Sequence, residues 1–274
     1  MMSGMQPSLK IMGIMNLTPD SFFSASRTNL INDFNKEKFK YADIIDIGCE
    51  STRPGAEPVS ERQETLRLNQ FLEKEIQFSQ TLSIDTYKPN VAKYALEHGF
   101  NMINDISGGG NDDAMLELAC QYDCPIIVMH MKGTPLTMQK NTKYRDIISE
   151  LIMFFEKKIN FAETIGMKRE NLILDPGIGF GKCIEDNYKI IRNLDKFKKL
   201  NHPILIGLSR KSFLSINGDQ PRSRLSTTLA ATVIAIQKGV DFIRVHDVEE
   251  TYKLKMTLNR INHNQYYDAE SCYS

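Results

Sequence analysis

Short apolar segments alternate along the chain with longer segments in which apolar residues recur every three or four positions. The short segments are rich in Ile, Leu, Val and Met and are bounded by polar, Gly or Pro residues. Continuous apolar runs of this kind are typical of strands buried on both faces of a parallel sheet. They predict eight strands, at residues 10–16, 43–48, 81–86, 100–106, 125–130, 171–175, 203–209 and 240–246.

The longer segments have the periodicity of amphipathic helices. Ser60-Glu-Arg-Gln63 reads as a capping box at a helix start, and Pro89 suits the first turn of another helix. In residues 29–41, Asn and Asp dilute the helical pattern. The predicted helices are residues 29–41, 60–79, 89–98, 112–122, 146–165, 184–194, 226–238 and 248–262.

The order of these elements predicts the fold. Eight strands that alternate with eight helices indicate an α/β fold, and eight is the number that closes a (β/α)₈ barrel of the TIM type. The alternative is an open doubly wound sheet, which usually carries a Gly-x-Gly-x-x-Gly turn after its first strand. That turn is absent after Asn16. We therefore predict a single barrel domain over residues 1–274.

Composition excludes several classes of protein. Lys and Arg together number 34, as do Asp and Glu, and this balance argues against a nucleic-acid-binding protein. No apolar run reaches the length of about 18 residues that spans a membrane. The first ten residues lack the apolar core of a signal peptide. The five cysteines are scattered without Cys-x-x-Cys spacing, which predicts a reduced, cytoplasmic protein without structural zinc.

Polar residues follow every predicted strand. In a barrel, the carboxyl ends of the strands carry the active site, so these residues should lie on one face. Asp85, Asn104 and Asp175 could together bind the edge of a ring that offers donors and acceptors. Asp175 also precedes a loop, residues 176–181, made largely of Pro and Gly, which permits close backbone approach to a ligand. The full set of strand-end residues is Asn16, Asp46, Asp85, Asn104, His130, Asp175, Ser209 and His246.

Cationic residues belong to the same predicted face and favour a phosphate ligand. They are Arg53, Arg210, Lys211, Arg244 and His246. A metal site at His246 is disfavoured because no second His or Cys lies at ligand-like spacing. Gly-x-Ser-x-Gly is absent, and no thiol stands beside a His. We therefore expect chemistry based on positioning and phosphate neutralisation.

Seven motifs resemble the dihydropteroate synthase family, in the same order, from about residue 11 to residue 247. Ser-Thr-Arg-Pro-Gly and Ser-Arg-Lys are the most specific elements among them. The motifs are Asn16-Leu-Thr-Pro-Asp-Ser-Phe22, Asp46-Ile-Gly-Cys-Glu-Ser-Thr-Arg-Pro-Gly55, Ile84-Asp-Thr86, Asn104-Asp-Ile106, Asp175-Pro-Gly-Ile-Gly-Phe-Gly-Lys182, Ser209-Arg-Lys211 and Arg244-Val-His-Asp247. The resemblance implies a barrel, usually a homodimer, that joins 4-aminobenzoate to 6-hydroxymethyl-7,8-dihydropterin diphosphate in folate synthesis. Diphosphate is released, with Mg²⁺ present.

The same resemblance implies roles for individual residues. The expected pterin-binding residues are Asp85, Asn104, Met129, Asp175 and Lys211. The expected diphosphate anchors are Thr52, Arg53, Arg244 and His246, and Asn16 is the expected Mg²⁺ ligand. The expected 4-aminobenzoate wall is Phe22, Pro54, Phe180 and Ser212. Asp85, Lys211 and Arg53 are the expected catalytic residues.

One motif departs from the family pattern. Residues 20–26 read Asp-Ser-Phe-Phe-Ser-Ala-Ser, without the second acid and the two glycines usual in the family. We expect an altered but working lid over residues 18–28. Two other functions stay open. A pterin-dependent methyltransferase would need neither Ser-Thr-Arg-Pro-Gly nor Ser-Arg-Lys, and a non-catalytic pterin-binding paralogue would have lost the function of this first loop.

Overall fold

The computed structural model describes residues 9–17, 36–52, 55–110 and 112–263, except for the side chain of His263. Its strands are all parallel and form one sheet in the order β6-β5-β4-β3-β2-β1-β8-β7. A parallel bridge between Leu174 and Ile204 joins the two edges, so the sheet curls into a nearly closed barrel. The strands are β1 (Lys10–Asn16), β2 (Ile44–Gly48), β3 (Thr81–Asp85), β4 (Met102–Asp105), β5 (Ile126–Met129), β6 (Leu172–Asp175), β7 (Leu205–Ile206) and β8 (Phe242–Val245).

Helices lie between the strands, as the alternating pattern predicts. In the described ranges the α-helices are α1 (Glu61–Leu72), α2 (Pro89–Glu97), α3 (Ala114–Gln121), α4 (Ile147–Thr164), α5 (Ile184–Arg192), α6 (Leu194–Phe197), α7 (Leu225–Gln237) and α8 (Val248–His263). Short 3₁₀ helices add Lys36–Phe39, Met138–Lys140, Arg169–Asn171, Lys198–Leu200, Ser212–Leu214 and Pro221–Arg224. The eight parallel strands and intervening helices confirm the predicted (β/α)₈ fold.

Local sequence explains several helix boundaries. Ser60 Oγ accepts from the Gln63 backbone N–H at 3.2 Å, which is the predicted N-cap of α1. Pro89 occupies the first turn of α2, where its missing N–H costs no helix bond. The prediction that α1 reaches residue 79 was wrong, because the helix ends at Leu72 and Glu75 then adopts a positive φ of 48°.

Two other predicted boundaries differ from the structure. Of the predicted helix at residues 29–41, the described part contains only the 3₁₀ turn Lys36–Phe39, and residues 29–35 lie outside the described ranges. Strand β7 is reduced to Leu205–Ile206, although residues 203–209 are predicted as strand. Gly207 follows directly and lacks a side chain to pack between neighbouring strands.

Alternation along each strand separates two apolar layers. Odd and even residues of a strand point to opposite faces, so one set meets the helices and the other fills the barrel. Ile45, Ile47 and Ile84 belong to the large outer core that includes Leu68 of α1 and Phe155 of α4. The smaller inner cluster takes residues from seven strands, namely Met12, Ile44, Met102, Ile127, Ile173, Leu205 and Phe242.

Candidate active site

The polar residues of the site share the strand faces of the inner apolar cluster. Asn16, Asp46, Asn104 and Asp175 each lie two or four positions after an inner apolar residue on their own strand, so period two directs them to the barrel axis. Strand β3 adds no residue to that cluster, and Asp85 faces the axis because it is aligned with Asn104. The strand register aligns Asn16 with Gly48, Gly48 with Asp85, and Asp85 with Asn104. Met129 is likewise aligned with Asp175. The structure therefore brings these strand-end residues to one end of the barrel, above its apolar interior, whereas the predicted strand-end residue His130 packs on the helix side against Phe154.

Arg244 connects two buried carboxylates across this end. Its Nε donates to Asp46 Oδ2 and its Nη2 donates to Asp85 Oδ2, both at 2.6 Å. Asp46 Oδ2 also accepts from the Asn104 amide nitrogen at 2.8 Å. Both carboxylates are nearly inaccessible to solvent. The Arg244 guanidinium thus holds the acids of β2 and β3 in place. Asp46 in turn orients the Asn104 amide on β4.

The charges in this group influence one another's pKa. Burial raises the pKa of Asp85, Asp46 raises it further, and Arg244 opposes both effects. The two carboxylates raise the pKa of Arg244, more than offsetting the opposing effect of burial. Arg244 thus stands between two carboxyl groups, and the pKa of Asp85 is raised to about 7. The Oδ1 atoms of Asp46 and Asp85 have no hydrogen-bond partner among the described residues.

Asp175 and Lys211 form the second charged part of the site. Asp175 Oδ1 accepts from the Gly177 backbone N–H at 2.7 Å, which leaves Oδ2 for a ligand. The ammonium of Lys211 donates to the Ile178 carbonyl and lies 4.5 Å from the centre of the Phe180 ring. Burial lowers the pKa of Lys211 to about 8, with Asp175 opposing the shift. Burial raises the pKa of Asp175, which Lys211 opposes in turn.

His246 lies on the inner face just after β8. Its Nδ1 is 3.0 Å from Ser209 Oγ, and Ser209 Oγ also accepts from the His246 backbone N–H at 3.2 Å. Burial, followed by the charge of Arg244, lowers the pKa of His246 to about 4. Its imidazole is therefore neutral near pH 7. Arg210 pairs with Asp247, so this predicted cation is already neutralised.

The other predicted residues are distributed as follows. Asn16 ends β1, and its Oδ1 lies 3.7 Å from the position that a Cβ on Gly48 would take, with Asp85 Oδ2 at 3.4 Å from the same point. Thr52 is half-buried after β2, and Ser212 is exposed at the start of its 3₁₀ turn. Met129 is buried at the end of β5. Phe22, Arg53, Pro54 and the altered first loop at residues 18–28 lie outside the described residues.

Two residues that had no predicted binding or catalytic role are part of the structure of the site. Asp46 links Asn104 to Arg244, and the signal was its position two residues after Ile44 on an inner-facing strand. Lys182 lies buried behind the loop 176–181, although it is the last residue of the glycine-rich motif. His130, on the opposite strand face from Met129, packs its ring against Phe154 of α4.

The described residues contain neither a preformed metal cluster nor a membrane-spanning helix. Within residues 9–17, 36–52, 55–110 and 112–263, no cluster of three or more His, Cys, Asp and Glu side chains could hold a metal ion. No helix in these ranges is both long and apolar enough to cross a membrane.

Comparison with known proteins identifies the family. The family model for the pterin binding enzymes matches residues 12–246. A dihydropteroate synthase from Synechocystis is 44% identical over 248 residues, covering 87% of this chain and 85% of the relative. Because the family match spans most of the chain and includes the charged barrel end, the chain belongs to the pterin-binding enzyme family.

Solved structures narrow the assignment within that family. A Clostridium difficile dihydropteroate synthase, crystallised in the presence of pteroic acid, has a TM-score of 0.84 and 38% identity, covering 94% of this chain and 98% of its own. A Thermus thermophilus dihydropteroate synthase in complex with 4-aminobenzoate has a TM-score of 0.79 and 37% identity, covering 91% and 94%. These relatives place the chain among the dihydropteroate synthases, which are transferases of folate synthesis.

Proposed function

We propose that this chain joins 4-aminobenzoate to 6-hydroxymethyl-7,8-dihydropterin diphosphate, giving 7,8-dihydropteroate and diphosphate. The observation that carries the proposal is the pairing of ring-binding acids with cations at one barrel end. Asp85, Asn104 and Asp175 supply acceptors and an amide, while Lys211 and Arg244 supply positive charge. A ligand with a donor-rich ring at one end and a diphosphate at the other would bind the acids through its ring and the cations through its diphosphate.

The pterin ring is proposed to bind between the inner-facing acids. Asp175 Oδ2, which the Gly177 N–H leaves open, would accept from the amino and N–H groups of the ring. Lys211 would turn from the Ile178 carbonyl to donate to the ring carbonyl and a ring nitrogen. Asn104 would add hydrogen bonds at the ring edge, and Met129 would pack against the ring face.

The diphosphate is proposed to bind beside Arg244 and His246. Arg244 uses Nε and Nη2 in its carboxylate contacts, so Nη1 is not engaged in either of them. A neutral His246 can donate one hydrogen bond without adding charge. Thr52 and Arg53, on the loop after β2, would complete the anion site. Together these groups would stabilise the negative charge that grows as diphosphate departs.

A Mg²⁺ ion fits the donors near β1. Magnesium prefers oxygen ligands and is commonly held by one or two protein groups together with substrate phosphates and water. The Asn16 side-chain oxygen and the Asp85 carboxylate both approach Gly48, so oxygen donors converge there. Asn16 would hold the ion together with diphosphate oxygens, and the ion would supply charge neutralisation of the leaving group.

The reaction breaks the bond between the pterin methylene carbon and the diphosphate oxygen and forms a bond from that carbon to the 4-aminobenzoate nitrogen. The diphosphate leaves with the electron pair, and the amine loses one proton after attack. The electron-rich ring can stabilise positive charge on the methylene, and Asp85 would lie near that charge. Because the amine is already a nucleophile, the mechanism needs no strong base.

The 4-aminobenzoate is proposed to lie against the loop 176–181. Phe180 sits on that loop beside Lys211, and Ser212 begins the turn that follows. Phe22 and Pro54 would complete the wall from the loops after β1 and β2. The shared face would bring the amine to the pterin methylene.

Two wider properties are also proposed on the family resemblance. The chain would act as a homodimer and would work in the cytoplasm. The mass of the purified protein by light scattering tests the first, because a monomer at micromolar concentration contradicts it.

The proposed function is tested by incubations that omit one component at a time. Protein, Mg²⁺, pterin diphosphate and 4-aminobenzoate should together yield dihydropteroate and diphosphate in equal amounts, measured by mass spectrometry and a diphosphate assay. Omission of either substrate should abolish product. Binding of pterin without any product would identify a non-catalytic paralogue. In a separate incubation, transfer of a methyl group from a methylated tetrahydropterin to a thiol or corrinoid acceptor would identify a methyltransferase.

A further inference from the structure

Lys182 is a buried lysine that faces backbone instead of solvent or a carboxylate. Its side-chain nitrogen donates to the carbonyl oxygens of Gly177 at 2.9 Å, Phe180 at 3.0 Å and His130 at 3.1 Å. His130 Nδ1 lies at 3.1 Å from the same nitrogen. Lys182 is only 3% exposed. These four acceptors share the N–H donors of Lys182, so all of those donors are used inside the protein.

The His130 ring can accept a hydrogen bond from Lys182. Burial and the charge of Lys182 lower the pKa of His130 to about 3, so its ring is neutral. The Phe154 ring packs against it edge-on, with ring centres 5.0 Å apart. A neutral ring that accepts at Nδ1 carries its proton on Nε2. The end of β5 thus holds Lys182 through both a backbone oxygen and a fixed imidazole.

The loop that Lys182 binds is rich in glycine, and Asn187 and Tyr144 hold its later part through the Gly179 N–H and the Gly181 carbonyl. Gly177, Gly179 and Gly181 all have positive φ, and a Cβ on Gly177 would lie 2.0 Å from the His130 carbonyl oxygen. Glycine permits this backbone but leaves it conformationally free when unfolded or loosened. Lys182 links Gly177 and Phe180 of the loop to His130, which directly follows β5.

The same loop presents groups to the proposed site. Ile178 supplies the carbonyl that holds Lys211, and the Phe180 ring lies beside the Lys211 ammonium. Gly177 supplies the N–H that orients Asp175. Asp85 and Asn104, in contrast, are held by other strands and do not depend on this loop.

We propose that Lys182 is a positioning residue, which fixes the loop 176–181 so that Phe180 is aligned for 4-aminobenzoate. It acts through the loop backbone and touches no substrate. The inference rests on the proposed function, because it assigns to this loop the 4-aminobenzoate side of that site. Loss of Lys182 should therefore weaken 4-aminobenzoate use more than pterin binding.

Two variants of Lys182 and one of its loop test the inference. Lys182→Met keeps length and removes all donors, and Lys182→Gln restores neutral donors. In Lys182→Met, KM for 4-aminobenzoate should rise tenfold or more. Kd for pterin diphosphate should rise by a smaller factor, because Asp85 and Asn104 are held independently of the loop. Lys182→Gln should recover part of that loss. Gln139→Ala, which removes a surface hydrogen bond of 3.0 Å to the Gly179 carbonyl, should raise the same KM two- to fivefold.

Hydrogen exchange supplies a readout independent of turnover. Amide exchange at residues 178–181 should accelerate at least tenfold in Lys182→Met, with α5 and β3 unchanged. Lys189→Met is the matched control, because Lys189 on α5 pairs with Asp146 at the surface. Lys189→Met should leave KM for 4-aminobenzoate, Kd for pterin diphosphate and amide exchange in the loop unchanged.

Each outcome decides the question. An unchanged KM for 4-aminobenzoate in Lys182→Met, with an active wild type, overturns this inference alone. Equal losses for both substrates, or failure of both Lys182 variants to fold, would assign Lys182 to general stability and also overturn it. A wild type that forms no dihydropteroate refutes the proposed function instead, whatever the variants do.

Discussion

Removal of Arg244 should destabilise the fold and weaken diphosphate binding together. Arg244→Met keeps most of the side-chain volume but leaves Asp46 and Asp85 buried with no guanidinium between them. Breaking a buried ion pair by removing one partner costs about 3–5 kcal/mol. For a chain of this size, about 2–4 °C of Tm follow each kcal/mol, so Tm should fall by about 6–20 °C.

The loss of stability should depend on pH. Burial already raises the pKa of Asp85, and removing Arg244 takes away the effect that opposes this. A carboxyl whose folded-state pKa exceeds its unfolded value of about 3.9 binds a proton more tightly when folded. Protonation therefore restores stability as pH falls. The difference in Tm between variant and wild type should be smaller at pH 5 than at pH 8.

Calorimetric unfolding at several pH values and calorimetric titration together make the assay. The variant should lose more affinity for pterin diphosphate than for 6-hydroxymethyldihydropterin, because a charge-assisted contact to the leaving group is lost. Arg192→Met is a matched control, since Arg192 pairs with Glu185 at the surface and such pairs contribute at most about 1 kcal/mol. A pH-independent loss of Tm, or equal affinity losses for both ligands, would refute the reasoning.

Two further predictions concern charge in the same site. Burial lowers the pKa of Lys211 to about 8, so kcat/KM for pterin diphosphate should fall as pH rises through about 8. Lys211→Arg should not show this fall. A fall that persists in the variant contradicts the assignment of this pKa to Lys211. Chelation of Mg²⁺ should weaken binding of pterin diphosphate but leave 6-hydroxymethyldihydropterin unaffected, and Asn16→Ala should raise the Mg²⁺ concentration needed for half-maximal rate. An unchanged Mg²⁺ requirement in Asn16→Ala would remove Asn16 from the metal.

The barrel was predictable because each strand carries its own local signal. Apolar runs such as residues 43–48 read as buried strands without knowledge of their neighbours, and the polar residue that ends each run marks the active face. Helix starts at Ser60 and Pro89 were equally local. The end of α1 and the shortness of β7 were missed, because tertiary packing decides where these elements stop.

The hydrogen-bond partners of the charged site residues were harder to predict from the sequence. Asp43 and Asp46 flank the same apolar pair, yet Asp43 accepts from the Ile11 backbone N–H at 2.7 Å, whereas Asp46 meets Arg244, 198 positions away. The different partners of Asp43 and Asp46 follow from the strand register of the barrel, which the sequence alone does not give. The sequence shows Lys182 only as the last residue of a glycine-rich motif, and its burial follows from positive-φ glycines that fold the loop back on β5.

A kinetic comparison of Asp175→Asn with Asp105→Asn tests the central claim most directly. An amide at position 175 can keep its oxygen on the Gly177 N–H, but it then turns a donor towards the pterin donors. A mismatch of this kind costs about 1–3 kcal/mol. Asp105 is an equally buried acid that accepts from Ser107 and Gly109 in a loop and does not face the proposed ring.

The quantity to measure is kcat/KM for pterin diphosphate in dihydropteroate formation. We expect an active wild type, a loss of about tenfold or more in Asp175→Asn, and a value close to wild type in Asp105→Asn despite a lower Tm. An Asp175→Asn enzyme as efficient as wild type would contradict the claim that this barrel end binds the pterin.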